Sequence, residues 1–204
     1  MFANLLLQNF KSIQMSEPID LKKLSIFCGS NSSGKSSLIQ SILMMSQSFS
    51  NRFKDEPINL NGHLIRLGSF GDIYSHSARN DEIKVAFSLP IKSFYNGRKQ
   101  ILQYDLTFGS HPKIRKEEDY HPIIIDAKIN VATENEDGTI LETDKIHIAL
   151  DKKAIGTEEQ YKIIAFESSE KNRISNDYPD YHIIGVRKGE LIPSTALLDY
   201  DYIK

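Results

Sequence analysis

From residue 81 to about 190, apolar and polar positions alternate with the period of a half-buried β-strand. The runs are Ile83, Val85, Phe87, Leu89; Leu102, Tyr104, Leu106, Phe108; and Ile123, Ile125, Ala127, Ile129, Val131. They continue through Ile146, Ile148, Leu150, then Tyr161, Ile163, Ala165, and Tyr181, Ile183. Turn-forming or charged links such as Asn135-Glu136-Asp137-Gly138 and Ser175 to Pro179 separate them. One polar face per strand predicts a mainly antiparallel sheet, because parallel strands covered on both faces read as continuous apolar runs. Lys113 to Asp119 and Ser168 to Asn176 read as loops.

The first eighty residues follow a different pattern. Phe2 to Asn9 reads as a strand, Glu17-Pro18 as a turn, and Leu24 to Cys28 as a second, well-buried strand. From Lys35 the period becomes helical, with Leu38, Ile39, Ile42, Leu43 and Met44 or Met45 forming an apolar stripe that runs to about Phe49. Gln47 falls on the polar flank of that helix, and a water-orienting role for it has no further support. Asn61-Gly62 predicts a tight hairpin between Ile58–Leu60 and Leu64–Leu67. The expected division is a loop-bearing core over residues 1–80 and a mainly antiparallel β portion over 81–204.

Between the second strand and the helix lies Gly29-Ser30-Asn31-Ser32-Ser33-Gly34-Lys35-Ser36, which matches G-x-x-x-x-G-K-[ST] at every fixed position. Each position has a physical task. The glycines let the backbone wrap and aim N–H groups at phosphate oxygens, Lys35 reaches the β- and γ-phosphates, and the Ser36 hydroxyl ligates Mg²⁺. Ser37 adds a hydroxyl in the first helical turn, whose positive dipole end favours the same anion. Four such positions coincide by chance in on the order of one percent or fewer of random chains this long, and the strand–loop–helix order is the context that the pattern requires. The loop therefore implies bound ATP and Mg²⁺.

Composition narrows the remaining classes. A chain of 204 residues that is 40% hydrophobic is long enough for a sizeable core. A net charge of −2 and a pI near 6.3 provide no global attraction to nucleic acid or anionic membrane. Cys28 is the single cysteine, which excludes an internal disulfide and a multi-thiolate metal site and fits a reducing, cytoplasmic setting. Apolar runs such as Leu5–Leu7 and Ile123–Ile125 are too short to span a bilayer. The histidines at 63, 76, 111, 121, 147 and 182 lack ligand spacing, and His111 and His121 read as surface residues. The guanine-reading N-K-x-D pattern is missing, and the long antiparallel stretch is unlike the βαβ order of GTPases and small-molecule kinases.

Residues Leu5 to Ile13, with Asn9-Phe10-Lys11-Ser12 at their end, and Leu24 to Leu43 around the loop, resemble the start of SMC-like and RecF/OLD-like ABC-type ATPase heads, often labelled AAA family ATPases in bacteria. Leu60 to Ile73 is similar to a segment of one bacterial branch of that group. The resemblance covers about the first 75 residues. It implies an α/β (α+β) P-loop head lobe in which Asn31 and Ser33 shape the loop and the Asn9–Ser12 turn lies near base or ribose. Lys11 there either touches nucleotide or is a solvated surface lysine.

The resemblance also implies hydrolysis between two heads, completed by a partner's signature loop and by an acidic strand end. No Ser-Gly-Gly signature occurs, and no run of four apolar residues ends in Asp-Glu. Ile123-Ile124-Ile125-Asp126 and Ile163-Ile164-Ala165-Phe166-Glu167 imitate that strand end, and both equally fit strands that reach solvent. The expectation is an ATPase half-site completed by a second head, as a homodimer, or by a C-terminal half, with DNA or an effector such as a nuclease as further partners. The alternative is a nucleotide-gated interaction module without turnover.

Overall fold

Alternation in the sequence becomes one antiparallel sheet. The computed structural model describes residues 3–50, 58–75, 77–78, 80–92, 99–110, 122–135, 137–150 and 161–168. Its strands are β1 (Asn4–Phe10), β2 (Ile13–Met15), β3 (Ile19–Asp20), β4 (Glu82–Lys92), β5 (Lys99–Gly109), β6 (Ile123–Glu134), β7 (Ile140–Leu150) and β8 (Tyr161–Ser168). They lie in the order β2-β1-β4-β5-β6-β7-β8, with β3 also on β1, and every pairing is antiparallel. Helix α1 (Lys35–Ser50) and a 3₁₀ turn at Phe70–Asp72 are the helical elements among the described residues. The strand expected at Tyr181–Ile183, the loop at Lys113–Asp119 and all but Ser168 of the loop at Ser168–Asn176 lie outside the described residues.

The face predicted to be apolar is the core face. Leu5 and Leu7 of β1 stand opposite Phe87 and Val85 of β4, which in turn stand opposite Tyr104 and Leu106 of β5, and all are buried. Ala127, Ile129, Ile146 and Ile148 extend that face across β6 and β7. Helix α1 covers it with Leu38, Met44 and Met45, and the Phe49 ring meets Phe87 and Tyr104 edge-on at 5.4 and 5.6 Å. Ile58, Leu60, Leu67, Phe70 and Ile73 close the same core.

Three expectations change. Leu24 to Cys28 is not a strand: it pairs with no strand among the described residues, and Leu24 and Ile26 are 78% and 76% exposed, with Phe27 alone packed against the core. Ile39 leaves the expected stripe and is exposed, because the buried arc of α1 runs through residues 38, 41, 44, 45 and 48. In β6 a bulge makes Phe108 pair with Ile124 while Thr107 pairs with Asp126. The extra residue, Ile125, shifts the phase, so Ile124 rather than Ile125 is buried.

Tyr104 stacks on Phe87 at 5.0 Å and is 2% exposed, yet its hydroxyl has no hydrogen-bond partner among the described residues. Burial pushes its pKa up to about 12. Tyr104→Phe removes an unsatisfied polar group and should raise stability by about 1–2 kcal/mol in urea unfolding at neutral pH. The raised value also fixes a sign: stability from the neutral phenol is intact below the unfolded value and is lost as pH climbs toward the folded one. From about pH 10 to 12 the native protein should lose about 1.4 kcal/mol per pH unit more than Tyr104→Phe does. Parallel alkaline profiles for the two proteins would contradict this.

Candidate functional site

The loop from Gly29 to Ser36 curls as its glycines require. Gly29 (φ 151°) and Gly34 (φ 90°) adopt left-handed backbone, and Ser32 (φ 63°) does so without being glycine. The Lys35 ammonium donates to the Gly29 carbonyl at 2.8 Å and to the Ser30 carbonyl, with Ser33 Oγ at 3.4 Å. Ser33 N–H reaches Ser30 O at 3.4 Å, and the first helical bond runs from Leu38 N–H to Gly34 O at 2.9 Å. Among the described residues the N–H groups of Asn31, Ser32, Gly34, Lys35 and Ser36 donate to no protein acceptor. Gly29 to Ser33 and Ser36 are exposed, and the first turn of α1 holds no carboxylate. Free donors, a positive helix end and an ammonium thus converge on one open loop, an arrangement suited to a polyanion.

The turn after β1 lies against this loop. Asn9 and Lys11 both have positive φ, at 61° and 50°. Asparagine tolerates that conformation, and there β1 exchanges β4 for Tyr74: Phe10 pairs with Tyr74, Ser75 N–H reaches Asn9 O, and Lys11 N–H reaches Ile73 O. Asn9 Nδ2 covers the Glu82 carbonyl at 3.0 Å. The Ser12 hydroxyl lies 3.0 Å from that of Ser37, which is 7% exposed. Lys11 is half-buried beside Asp72. The N–H and hydroxyl of Ser69, both at 2.8 Å, hold the Asp72 carboxyl below the usual carboxylate range, and the Lys11 charge acts in the same direction.

Gln47 is 1% exposed, which overturns its placement on the polar flank. Its Nε2 donates to Asn59 O at 2.7 Å and Ile65 O at 3.2 Å, and its Oε1 accepts from Ile65 N–H at 3.1 Å. Beside it, Ser48 Oγ accepts from Asn59 N–H and donates to Met44 O. The hairpin so held pairs Asn61 with Arg66 and closes Gly62 N–H onto Ile65 O, so the turn centres on His63-Leu64 rather than on Asn61-Gly62. Gly62 is needed for another reason: a Cβ there would lie 2.6 Å from Gln47 Oε1. Residue type alone could not reveal this clamp, since a buried and an exposed glutamine look alike until the hairpin is seen above them.

Of the two acidic imitations, Asp126 lies inside a strand, whereas Glu167 is the last residue but one of β8. Asp126 is the fourth residue of a twelve-residue strand, and its Oδ1 lies 2.6 Å from Nε2 of His147 on the neighbouring strand. Glu167 pairs with Lys145 in the β8–β7 ladder. His63 and Cys28 are exposed, while His76, His111, His121 and His182 lie outside the described residues. Among the described residues no three His, Cys, Asp or Glu side chains gather as metal ligands, and no helix is long and apolar enough to cross a membrane.

Gln47→Ala should therefore behave as a core substitution. Stranding two carbonyls and one N–H should cost about 2–4 kcal/mol in equilibrium unfolding. A change within about 0.5 kcal/mol, the usual range for a surface residue, would show that the clamp contributes nothing.

A family model described as AAA ATPase domain matches residues 1–188. No curated protein and no solved structure matches the chain significantly. A glycine-bent loop with lysine and serine at the start of α1 is what a nucleotide-binding ATPase needs, and the match takes in the loop, the helix and the whole described sheet. By its sequence match and by this architecture, the chain belongs to the AAA ATPase domain family.

Proposed function

We propose that the chain is the nucleotide-holding lobe of an ABC- or SMC-like ATPase head, binding ATP with Mg²⁺ through Gly29 to Ser36 and hydrolysing it only when further polypeptide completes the site. The observation that carries this reading is the set of N–H groups at Gly34, Lys35 and Ser36 that are unpaired among the described residues, beside an ammonium bonded within the loop. The Lys35 ammonium would exchange neutral carbonyls for phosphate oxygens, a stronger charge-assisted pairing. Ser36, exposed at the loop's end, is the hydroxyl that would hold Mg²⁺. Mg²⁺, when bound, supplies charge neutralisation on the transferred phosphoryl group. Residues 1–80 carry the site and residues 81–204 the supporting β portion of the same head.

Leu24 to Cys28 has open pairing positions among the described residues. Its backbone N–H and carbonyl groups make no hydrogen bond among the described residues, and Leu24 and Ile26 stand bare beside the loop. Strand-forming residues in that state call for a pairing strand and an apolar cover. A second head or a C-terminal half would provide both, together with the acidic residue that Asp126, bonded to His147, does not offer. The family resemblance suggests work on DNA or control of an effector such as a nuclease, and the single cysteine, Cys28, fits a cytoplasmic setting.

The test is ATP binding by calorimetry and steady-state turnover with Mg²⁺, for the 204-residue chain and for Lys35→Ala. Binding without turnover is expected, weakened roughly ten- to a hundredfold in the variant. Lys35-dependent turnover by the chain alone would refute the half-site, and absence of binding would refute the nucleotide reading. If turnover stays absent after a completing partner is supplied, the chain is a nucleotide-gated interaction module instead.

A further inference from the structure

We infer that Ser12 is a positioning residue for Mg²⁺ coordination, acting through Ser37 to set the direction of the neighbouring Ser36 hydroxyl. The inference rests on the proposed binding of MgATP at the loop. Its basis is that the β1–β2 turn touches the loop and helix at two points three residues apart. Ser12 Oγ lies 3.0 Å from Ser37 Oγ, and a Cβ on Gly34 would stand 3.2 Å from Ile13 Cγ1 and 3.6 Å from Ser12 Oγ. Gly34 also has φ 90°, so the close approach and the bend are met by the same glycine.

Two contacts at that spacing hold one full turn. Successive residues of a helix point about 100° apart, so fixing the rotation of Ser37 fixes where Ser36 points. Ser37 is buried on the side of the β1–β2 turn, whereas Ser36 is exposed on the side of the loop. Among the described residues no other hydrogen bond restrains this rotation from the sheet side: the Lys35 ammonium is bonded within the loop, and Leu38 provides only apolar packing. The turn itself is anchored, since Lys11 N–H is bonded to Ile73 O and Phe10 is paired with both Ile13 and Tyr74. The polar part of that link to the β1–β2 turn is one pair of hydroxyls.

A support of this kind should affect the metal-dependent part of binding and leave the rest. The experiment measures ATP affinity by calorimetry with Mg²⁺ and again with EDTA, for the native chain, Ser12→Ala, Ser37→Ala, the double variant and Ser12→Thr. Thermal melting of each establishes that it is folded. With Mg²⁺, each alanine variant should bind ATP roughly three- to tenfold more weakly, the worth of one hydrogen bond. With EDTA the affinity of Ser12→Ala should equal that of the native chain. The double variant should be no weaker than either single one, and Ser12→Thr, which keeps the hydroxyl, should restore native affinity with Mg²⁺. Equal losses with and without Mg²⁺, additive losses, or no loss in folded Ser12→Ala would each overturn the inference while leaving MgATP binding in place. If the native chain itself binds no ATP, the proposed function fails and this inference fails with it.

Discussion

β1 has a partner on each edge, and that constraint organises the molecule. One edge is taken by β4, which joins it to the long antiparallel sheet, and the other by β2 and β3. Because Leu5 and Leu7 are buried against α1 and the strands, β1 cannot slide by one residue without turning both out to solvent. A fixed register carries the Lys11-Ser12 turn to one place, beside the first turn of α1. The left-handed Asn9 then releases β1 from β4 and hands it to Tyr74, so the segment behind the loop is tied to the same strand. Lys35 needs no support of its own from the sheet, because its neighbours Gly34 and Ser37 have it.

How far the sequence disclosed this depended on the range of the interaction. The period-two runs at Ile83–Leu89 and Leu102–Phe108 are local signals, each strand stating its own buried face, and the observed pairings of Phe87 with Tyr104 and Val85 with Leu106 agree with them. The loop is local too: eight consecutive residues specify its glycine bends and its lysine. The contacts of Gln47 and Ser12 were illegible because their partners lie 12 to 25 residues away, on elements whose relative placement no pattern encodes. Leu24 to Cys28 failed for the opposite reason. Its apolar, β-forming pattern predicts a buried strand, but a strand needs a pairing neighbour, and the described residues provide none, so Leu24 and Ile26 stay exposed.

Two kinds of support thus meet at α1. At its start, hydroxyls and a glycine join it to the β1–β2 turn; at its end, the Gln47 amide and Ser48 join it to the 58–68 hairpin. From that hairpin the chain returns through the Ser69–Asp72 turn to Ile73, Tyr74 and Ser75, which pair with the end of β1. The contacts form a closed circuit, with the helix on one side and the 58–75 segment on the other. Displacement of one end of α1 must therefore strain the turn at the other, because polar bonds inside a packed core are costly to leave unmade.

Such bracing answers a weakness in the helix itself. Six of its sixteen residues are serine, at positions 36, 37, 41, 46, 48 and 50. Serine ranks below alanine, leucine and lysine as a helix former, because its hydroxyl competes for the backbone. Ser41 and Ser48 satisfy theirs on the carbonyls of Leu38 and Met44, one turn back, which lets a small side chain be buried without an orphaned polar atom. A helix of this length and composition would be marginal alone in water, so its order comes from burial of Leu38, Met44 and Met45 and from the Gln47 clamp. The free N–H groups at its start keep a common direction only while the helix is formed. The geometry that suits the loop to phosphate is therefore borrowed from the sheet and the hairpin, and substitutions in either should reach the loop without touching it.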